Sequence, residues 1–340
     1  MPLDGHLLQQ IHEVFLDCFD EDSIAQLVLF ELNKRIEEVT SGANLNIKVF
    51  NLIEWARERG QLLKLVEAAA QQRPGIAVLQ QLAADLRNTS VTPVDPLGAG
   101  HPTAHLKFDW IVIPAGEFLM GSDPTQDPEA AEDEVPMRCV GLPEFRIARV
   151  PVTNILYRQF VQAAGYPPPH CWESGHIPDG KEDHPVVNVS WHDAQSFCRW
   201  LSEASGTPVR LPTEAEWEKA ARFTDGRRYP WGDAPPSHEL ANFGNAVGDT
   251  MPVGSYPNGA SAYGVLDMAG NIWEWTNSHR CPHPYQRDER SEGIGGHDGR
   301  VIRGGAYALD SSSLRCAHRD FYEPDRKDDC FGFRIAAELR

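Results

Sequence analysis

No stretch of the 340 residues approaches the roughly 18 consecutive apolar residues of a membrane span. The start, Met1-Pro2-Leu3-Asp4-Gly5-His6, also lacks the basic stretch and apolar run of a secretory signal. Positive charge is scarce: 31 Lys and Arg stand against 49 Asp and Glu, a net charge of −18 that repels phosphate backbones and anionic lipid. Nucleic acid and membrane surfaces are therefore excluded as general partners. The seven cysteines are odd in number and scattered, with no CxxC spacing, so neither a disulfide scaffold nor a zinc ribbon is indicated. They read as reduced thiols of a cytoplasmic protein. No HExxH pairing marks the thirteen histidines, Ser311-Ser312-Ser313 sits in no nucleophile elbow, and tandem repeats are missing.

What is present is a globular composition, 41% hydrophobic with nine Trp, 28 Gly and 26 Pro, on a chain too long for one hydrophobic core. Residues 1–88 carry apolar positions at helical spacing: Ile11 with Val14 and Phe15; Ile24, Val28, Leu32 and Ile36; Leu62, Val66 and Ala69; Leu79, Leu82 and Leu86. Asp22 or Ser23 would cap the second of these helices. Residues 89–107 turn to Thr, Pro, Gly and His and read as a linker. From residue 108 to 340 the pattern becomes short β-rich runs between Gly, Pro and Asp clusters, with helices expected at Asp193–Ala204 and Thr213–Arg222. In the second helix Thr213 and Glu216 have the spacing of a capping box. The expected fold class is α+β with little regular structure, preceded by a small all-α bundle.

Ordered blocks run through residues 108–340: Ile113-Pro114-Ala115-Gly116-Glu117-Phe118-Leu119-Met120-Gly121-Ser122, Val150-Pro151-Val152-Thr153-Asn154, and Pro185-Val186-Val187-Asn188-Val189-Ser190-Trp191. They continue in Arg210-Leu211-Pro212-Thr213-Glu214-Ala215-Glu216-Trp217, Pro230-Trp231-Gly232, Met268-Ala269-Gly270-Asn271-Ile272-Trp273-Glu274-Trp275, Arg303-Gly304-Gly305 and Gly332-Phe333-Arg334. This region resembles the formylglycine-generating enzyme (sulfatase-modifying factor) family, a variant of the C-type lectin fold. Physically, Trp191, Trp217, Trp231, Trp273 and Trp275 are expected to supply buried area to a domain poor in regular structure. Residues 1–88, through Phe50-Asn51-Leu52-Ile53-Glu54-Trp55-Ala56 and Leu63-Lys64-Leu65-Val66-Glu67, resemble a death-like effector-associated domain of bacterial conflict systems.

The resemblance implies a copper-binding cysteine pair after a Gly-Gly-Ser-aromatic motif. This chain reads Gly304-Gly305-Ala306-Tyr307-Ala308-Leu309, placing Leu309 at the first cysteine, and the next cysteine is Cys316. Copper(I) selects thiolates. No copper and no catalytic residues are therefore expected, and the chain reads as a non-enzyme. A structural calcium ion is implied instead. One set of family positions is Asp267, Gly270, Ile272 and Glu274, and a second is Asn242, Phe243 and Asp249, oxygen donors of the kind calcium takes.

Between the retained frames, residues 306–331 resemble the variable regions of diversity-generating retroelement target proteins, many of which use this lectin-like fold. The resemblance implies randomised codons that cannot encode Trp, Gln, Met, Lys or Glu; the segment has no Trp, Gln or Met, leaving Glu323 and Lys327 as fixed positions. Candidate ligand-binding residues are Ala306, Tyr307, Ala308, Leu309, Asp310, Ser312, His318, Asp320, Phe321, Tyr322, Asp328, Asp329 and Phe331, a mixture of rigid aromatic and adaptable polar side chains. Gly305, Arg315, Arg319, Pro324 and Arg334 are assigned to the frame. The expected function is recognition of a protein or other macromolecular ligand by a diversified surface, with residues 1–88 coupling to an effector protein. The alternatives are a copper-dependent cysteine-oxidising enzyme with rearranged cysteines, and a phage or surface adhesin.

Overall fold

The computed structural model describes residues 5–32, 34–36, 45–58, 61–89, 108–281 and 299–338. The chain divides into two compact units, Met1–Pro102 with Gln159–Pro167, and Thr103–Arg158 with Pro168–Arg340. Most of the linker expected at 89–107 lies outside the described residues.

The N-terminal helices are α1 (Gly5–Cys18), α2 (Glu21–Leu32), α3 (Leu45–Glu58), α4 (Leu62–Gln72) and α5 (Ala77–Thr89). α4 packs on α5 and α2, and α1 packs on α3 and α5. Their apolar stripes meet in one core of Ile11, Phe15, Ile24, Val28, Val66, Leu79, Leu82 and Leu86, as the helical spacing requires. The cap of α2 differs from expectation. Asp20 and Ser23 exchange hydrogen bonds, each backbone N–H donating to the other's side chain at 2.9 Å, so the cap is Asp20, two residues before Asp22 and three before Ser23. No helix among the described residues is long and apolar enough to cross a membrane.

After these helices come β1 (Trp110–Ile113), β2 (Gly116–Met120), β3 (Arg138–Leu142), β4 (Phe145–Ala148), α6 (Asn154–Ala164), α7 (Trp191–Ser205), β5 (Val209–Arg210) and α8 (Glu214–Arg222), all in the second unit except the part of α6 from Gln159 on. They are followed by β6 (Trp273–His279), β7 (Arg300–Arg303), β8 (Arg319–Tyr322), β9 (Phe331–Phe333) and β10 (Ala336–Glu338). Among the described residues three sheets form, with strand orders β1-β4-β10-β5, β2-β3 and β8-β7-β6-β9. The mixed α+β class stands. α7 is capped by Ser190 with Asp193, and α8 by Thr213 with Glu216, both as full capping boxes. α6 has no counterpart in the sequence reading; its buried Tyr157 stacks on Phe197 with centroids 5.8 Å apart and meets Phe333 edge-on.

Trp191, Trp217, Trp273 and Trp275 are buried. Their indole N–H groups find acceptors where the structure places them: Thr276 O for Trp191 (2.9 Å), Glu274 Oε2 for Trp217 (2.7 Å) and Val189 O for Trp275 (3.0 Å). Trp231 departs from the expected role, being half-buried and stacked on Tyr229 at the surface.

Candidate functional site

The frame around residues 306–331 is built from β-sheet and buried ion pairs. β8 pairs antiparallel with β7, setting Phe321 opposite Val301 and Asp320 opposite Ile302, while β9 pairs parallel with β6, setting Phe331 opposite Trp273. Gly305 has φ +73°, and a Cβ there would lie 2.7 Å from Ser313 O, so the turn into the segment requires glycine. Arg315 is 2% exposed and forms two hydrogen bonds to Glu134 (2.5 and 2.8 Å) and one to Asp127 (3.0 Å). Burial opposes ionisation of Glu134, but hydrogen bonds from His318 and Arg315 prevail and hold its pKa down to about 2. Arg319 pairs with Glu214 at 2.8 Å, and the fully buried Arg334 pairs with Glu274 at 2.6 Å. Neither Glu134 nor Asp127 stands out in the sequence as a partner of Arg315, because each lies more than 180 residues away.

On this frame the candidate recognition residues separate by exposure. Ala308, Leu309, Asp310 and Asp329 are exposed; Ser312, His318, Asp320, Phe321, Tyr322 and Asp328 are half-buried. Ala306, Tyr307 and Phe331 are buried instead. Phe331 packs edge-on against Trp275 with ring centroids 5.5 Å apart and also meets Tyr322, so it belongs to the sheet core rather than to a displayed surface. Ala306, fully covered, likewise offers no contact to solvent. The chain at 307–309 is pinned: Asn245 N–H donates to Tyr307 O (2.7 Å) and Gly244 N–H to Leu309 O (2.6 Å). Tyr307 also donates to Asp329, tying the first arm of the segment to the last, and burial followed by that carboxylate raises the Tyr307 hydroxyl to about 12. Asp329 shares a hydrogen bond with Asp328, which raises its pKa, whereas Asp328 is lowered against burial by Arg326. Arg280, unremarked in the sequence, lays its guanidinium 3.5 Å from the centre of the Phe321 ring.

The expected calcium positions divide in a similar way. Both oxygens of Glu274 are taken, by the Arg334 guanidinium at 2.6 Å each and by the Trp217 indole at 2.7 Å. Asp267 accepts the Gly254 N–H at 2.7 Å, and the Gly270 carbonyl accepts the Ile272 N–H at 2.9 Å. With a buried guanidinium already on Glu274, this set of Asp267, Gly270, Ile272 and Glu274 does not fit a cation. In the second set the Asn242 side-chain oxygen is buried with no hydrogen-bond partner among the described residues. Its amide donates to Asp249 O at 2.9 Å, and Asp249 reaches Lys181 at 2.7 Å. The Phe243 carbonyl accepts the Ala246 N–H at 3.3 Å and Asp249 Oδ1 the Thr250 N–H at 2.7 Å, so within this second set it is the Asn242 side-chain oxygen that is left without a partner among the described residues.

Among the described residues the cysteines near the segment stand apart from a thiolate pair. Leu309 offers no donor, and Cys316 is sealed in the core, where burial raises its thiol to about 12. Burial raises the Cys330 thiol as well.

Residues 101–339 match the family model described as a sulfatase-modifying factor enzyme 1-like domain, and residues 1–87 match effector-associated domain 1. The hercynine oxygenase of Mycolicibacterium smegmatis is 36% identical over 282 residues; 72% of this chain and 64% of that protein are covered, so the chain spans less than two thirds of it. The formylglycine-generating enzyme of Bos taurus is 30% identical, with 78% of this chain and 84% of the relative covered. Among solved structures, PvdO from Pseudomonas aeruginosa superposes with a TM-score of 0.61 at 27% identity, over 71% of this chain and 98% of its own. Treponema denticola variable protein 1 superposes with a TM-score of 0.57 at 23% identity, over 73% and 100%, a likeness of fold. The expectation that the chain is not an enzyme is overturned by these relatives, since the hercynine oxygenase and the formylglycine-generating enzyme are enzymes. Leu309 is therefore no sufficient ground for calling the chain a non-enzyme.

Proposed function

Because the chain belongs to the sulfatase-modifying factor enzyme 1-like family, with an effector-associated domain ahead of that fold, we propose that it is a recognition protein. Residues 306–331 read a macromolecular ligand, and residues 1–88 pass the event to an effector. The observation that carries this reading is the division within the segment. Exposed Ala308, Leu309, Asp310 and Asp329 and half-buried Phe321 and Tyr322 stand on a frame locked by Arg315, Arg319 and Arg334. A rigid base with changeable side chains keeps the entropic cost of binding low. It also permits diversification of the kind found in retroelement target proteins. Scattered, unpaired cysteines suit action in the cytoplasm. A calcium ion held by Asn242, Phe243 and Asp249 would stiffen the loop that pins 307–309, and chelation should then lower the melting temperature.

The experiment has two parts. Sequencing around the coding DNA should reveal a template repeat whose mismatches to codons 306–331 fall on adenines; a repeat-free locus removes diversification. Capture of a partner by the full chain should then be lost in a Phe321→Ala, Tyr322→Ala variant that melts like the parent. Unchanged capture by that variant would end the recognition reading.

The sequence relatives favour a second reading, oxidation of a small substrate on the same face. Oxygen consumption with hercynine would distinguish it from binding alone.

A further inference from the structure

Beyond residue 108, four large apolar side chains are exposed among the described residues: Val112, Ile155, Val247 and Leu309. Two of the four share one edge of the recognition segment, Val247 being 50% exposed and Leu309 36%. The loop 244–249 runs beside residues 307–309, joined to them by the Gly244 N–H on Leu309 O (2.6 Å) and the Asn245 N–H on Tyr307 O (2.7 Å). It is held at its far end as well, where the Asn242 amide donates to Asp249 O at 2.9 Å. A single exposed aliphatic is ordinary, but here both of two turns pinned to each other present one. Val247 lies outside 306–331, so it stays constant while the segment varies.

The charge around these aliphatics is of one sign. Every basic side chain of the segment is engaged: Arg315 by Glu134, Arg319 by Glu214, Arg326 by Asp328 and Lys327 by Asp193. Beside it Lys181 pairs with Asp249 at 2.7 Å, and Arg280 lies over the Phe321 ring. Exposed Asp310, next to Leu309, bonds to Ser312, and exposed Asp329 shares hydrogen bonds with Tyr307 and Asp328. Neither carboxylate forms an ion pair among the described residues. A neutral partner covering Leu309 would desolvate them without compensation. A metal ion or a free polyamine would meet them but leave both aliphatics in water.

We propose that Val247, with Leu309, Asp310 and Asp329, forms a docking patch for a basic protein segment. An aliphatic or aromatic side chain of the partner covers Leu309 and Val247, and the Lys or Arg residues flanking it meet Asp310 and Asp329. The proposal rests on the recognition reading and names the class of partner that reading leaves open. The net charge of −18 favours encounter with such a partner, and the two carboxylates fix its register.

Selection of random peptides displayed on yeast against the full chain tests the proposal. Enriched peptides are expected to combine a large apolar residue with several Lys or Arg, and to bind less tightly as salt is added. Val247→Lys places a cation on the patch and should weaken them by about tenfold or more. Asp310→Asn, which keeps an oxygen for the Ser312 N–H, should weaken them several-fold. Val112→Lys makes the same charge change at an equally exposed position on β1 and should leave binding as in the parent. Both valines are exposed, so all three variants should melt like the parent. Equal weakening by the two lysine variants would mean general attraction to an acidic chain and would overturn the patch. Enrichment of neutral or acidic peptides, or of none, would also overturn it; the recognition reading is judged separately, by partner capture with the Phe321→Ala, Tyr322→Ala variant.

Discussion

At the residue scale, charge buried beneath the surface decides most outcomes. Glu134→Gln would leave Arg315 buried without its main counter-charge, and the expected loss is about 3–5 kcal/mol, read by chemical denaturation. Because Glu134 is held at about 2 in the fold, its contribution is present above its ordinary carboxylate range and lost as pH falls toward 2, so the variant should flatten the acid limb of the stability curve. Asp267 runs the other way. Burial raises it to about 6, so the fold favours its protonated form; that contribution is full below about pH 4 and gone above 6. Asp267→Asn keeps an acceptor for Gly254 and tolerates the φ of +56°, and it should raise the melting temperature near neutral pH while changing little at about pH 4. A lower melt near neutral pH would instead restore Asp267 as a cation ligand.

At the scale of elements, the frame and the displayed side chains should respond differently to substitution. Trp217→Ala removes a fully buried indole and its bond to Glu274, and Phe331→Ala opens the core beneath β9; each should cost about 3–5 kcal/mol in thermal or denaturant unfolding. Joint replacement of Ala308 and Leu309 by Ser should stay within about 0.5 kcal/mol per site, since these side chains are exposed. Helical stripes and the Thr213–Glu216 capping box were legible because spacing and side-chain chemistry are local: α8 starts where Thr213 requires, whereas α7 starts on a Ser190 cap two residues before the expected Asp193. The burial of Phe331 was not, because alternation along a three-residue strand says nothing about which face a parallel partner covers. α6 escaped notice for a similar reason, its apolar side chains meeting partners such as Phe333, far along the chain. Glu274 read as a calcium ligand because the oxygen is visible in sequence, whereas the guanidinium that occupies it sits 60 residues on.

At the scale of the whole molecule, two matched domains imply separable tasks. Removing residues 1–88 should abolish co-purification of an effector while leaving capture through 306–331 intact, as measured by parallel pull-downs. Loss of both in a chain that still folds would mean that recognition itself needs the helices. The strand order β8-β7-β6-β9 adds a mechanical consequence. The connection from Tyr322 to Phe331 joins the two outer strands of that sheet, a distance of about 14 Å at the usual strand spacing. Eight intervening residues could stretch to about 27 Å. The connection is therefore longer than its span and is held along its course, the Trp191 and Asn188 N–H groups donating to Pro324 O (3.0 Å) and Asp328 O (2.9 Å) and Lys327 pairing with buried Asp193 at 2.7 Å. A change in its length that spares stability has to leave those anchors in place, so the crossing varies most cheaply in side chains such as Asp325 that stand outside them.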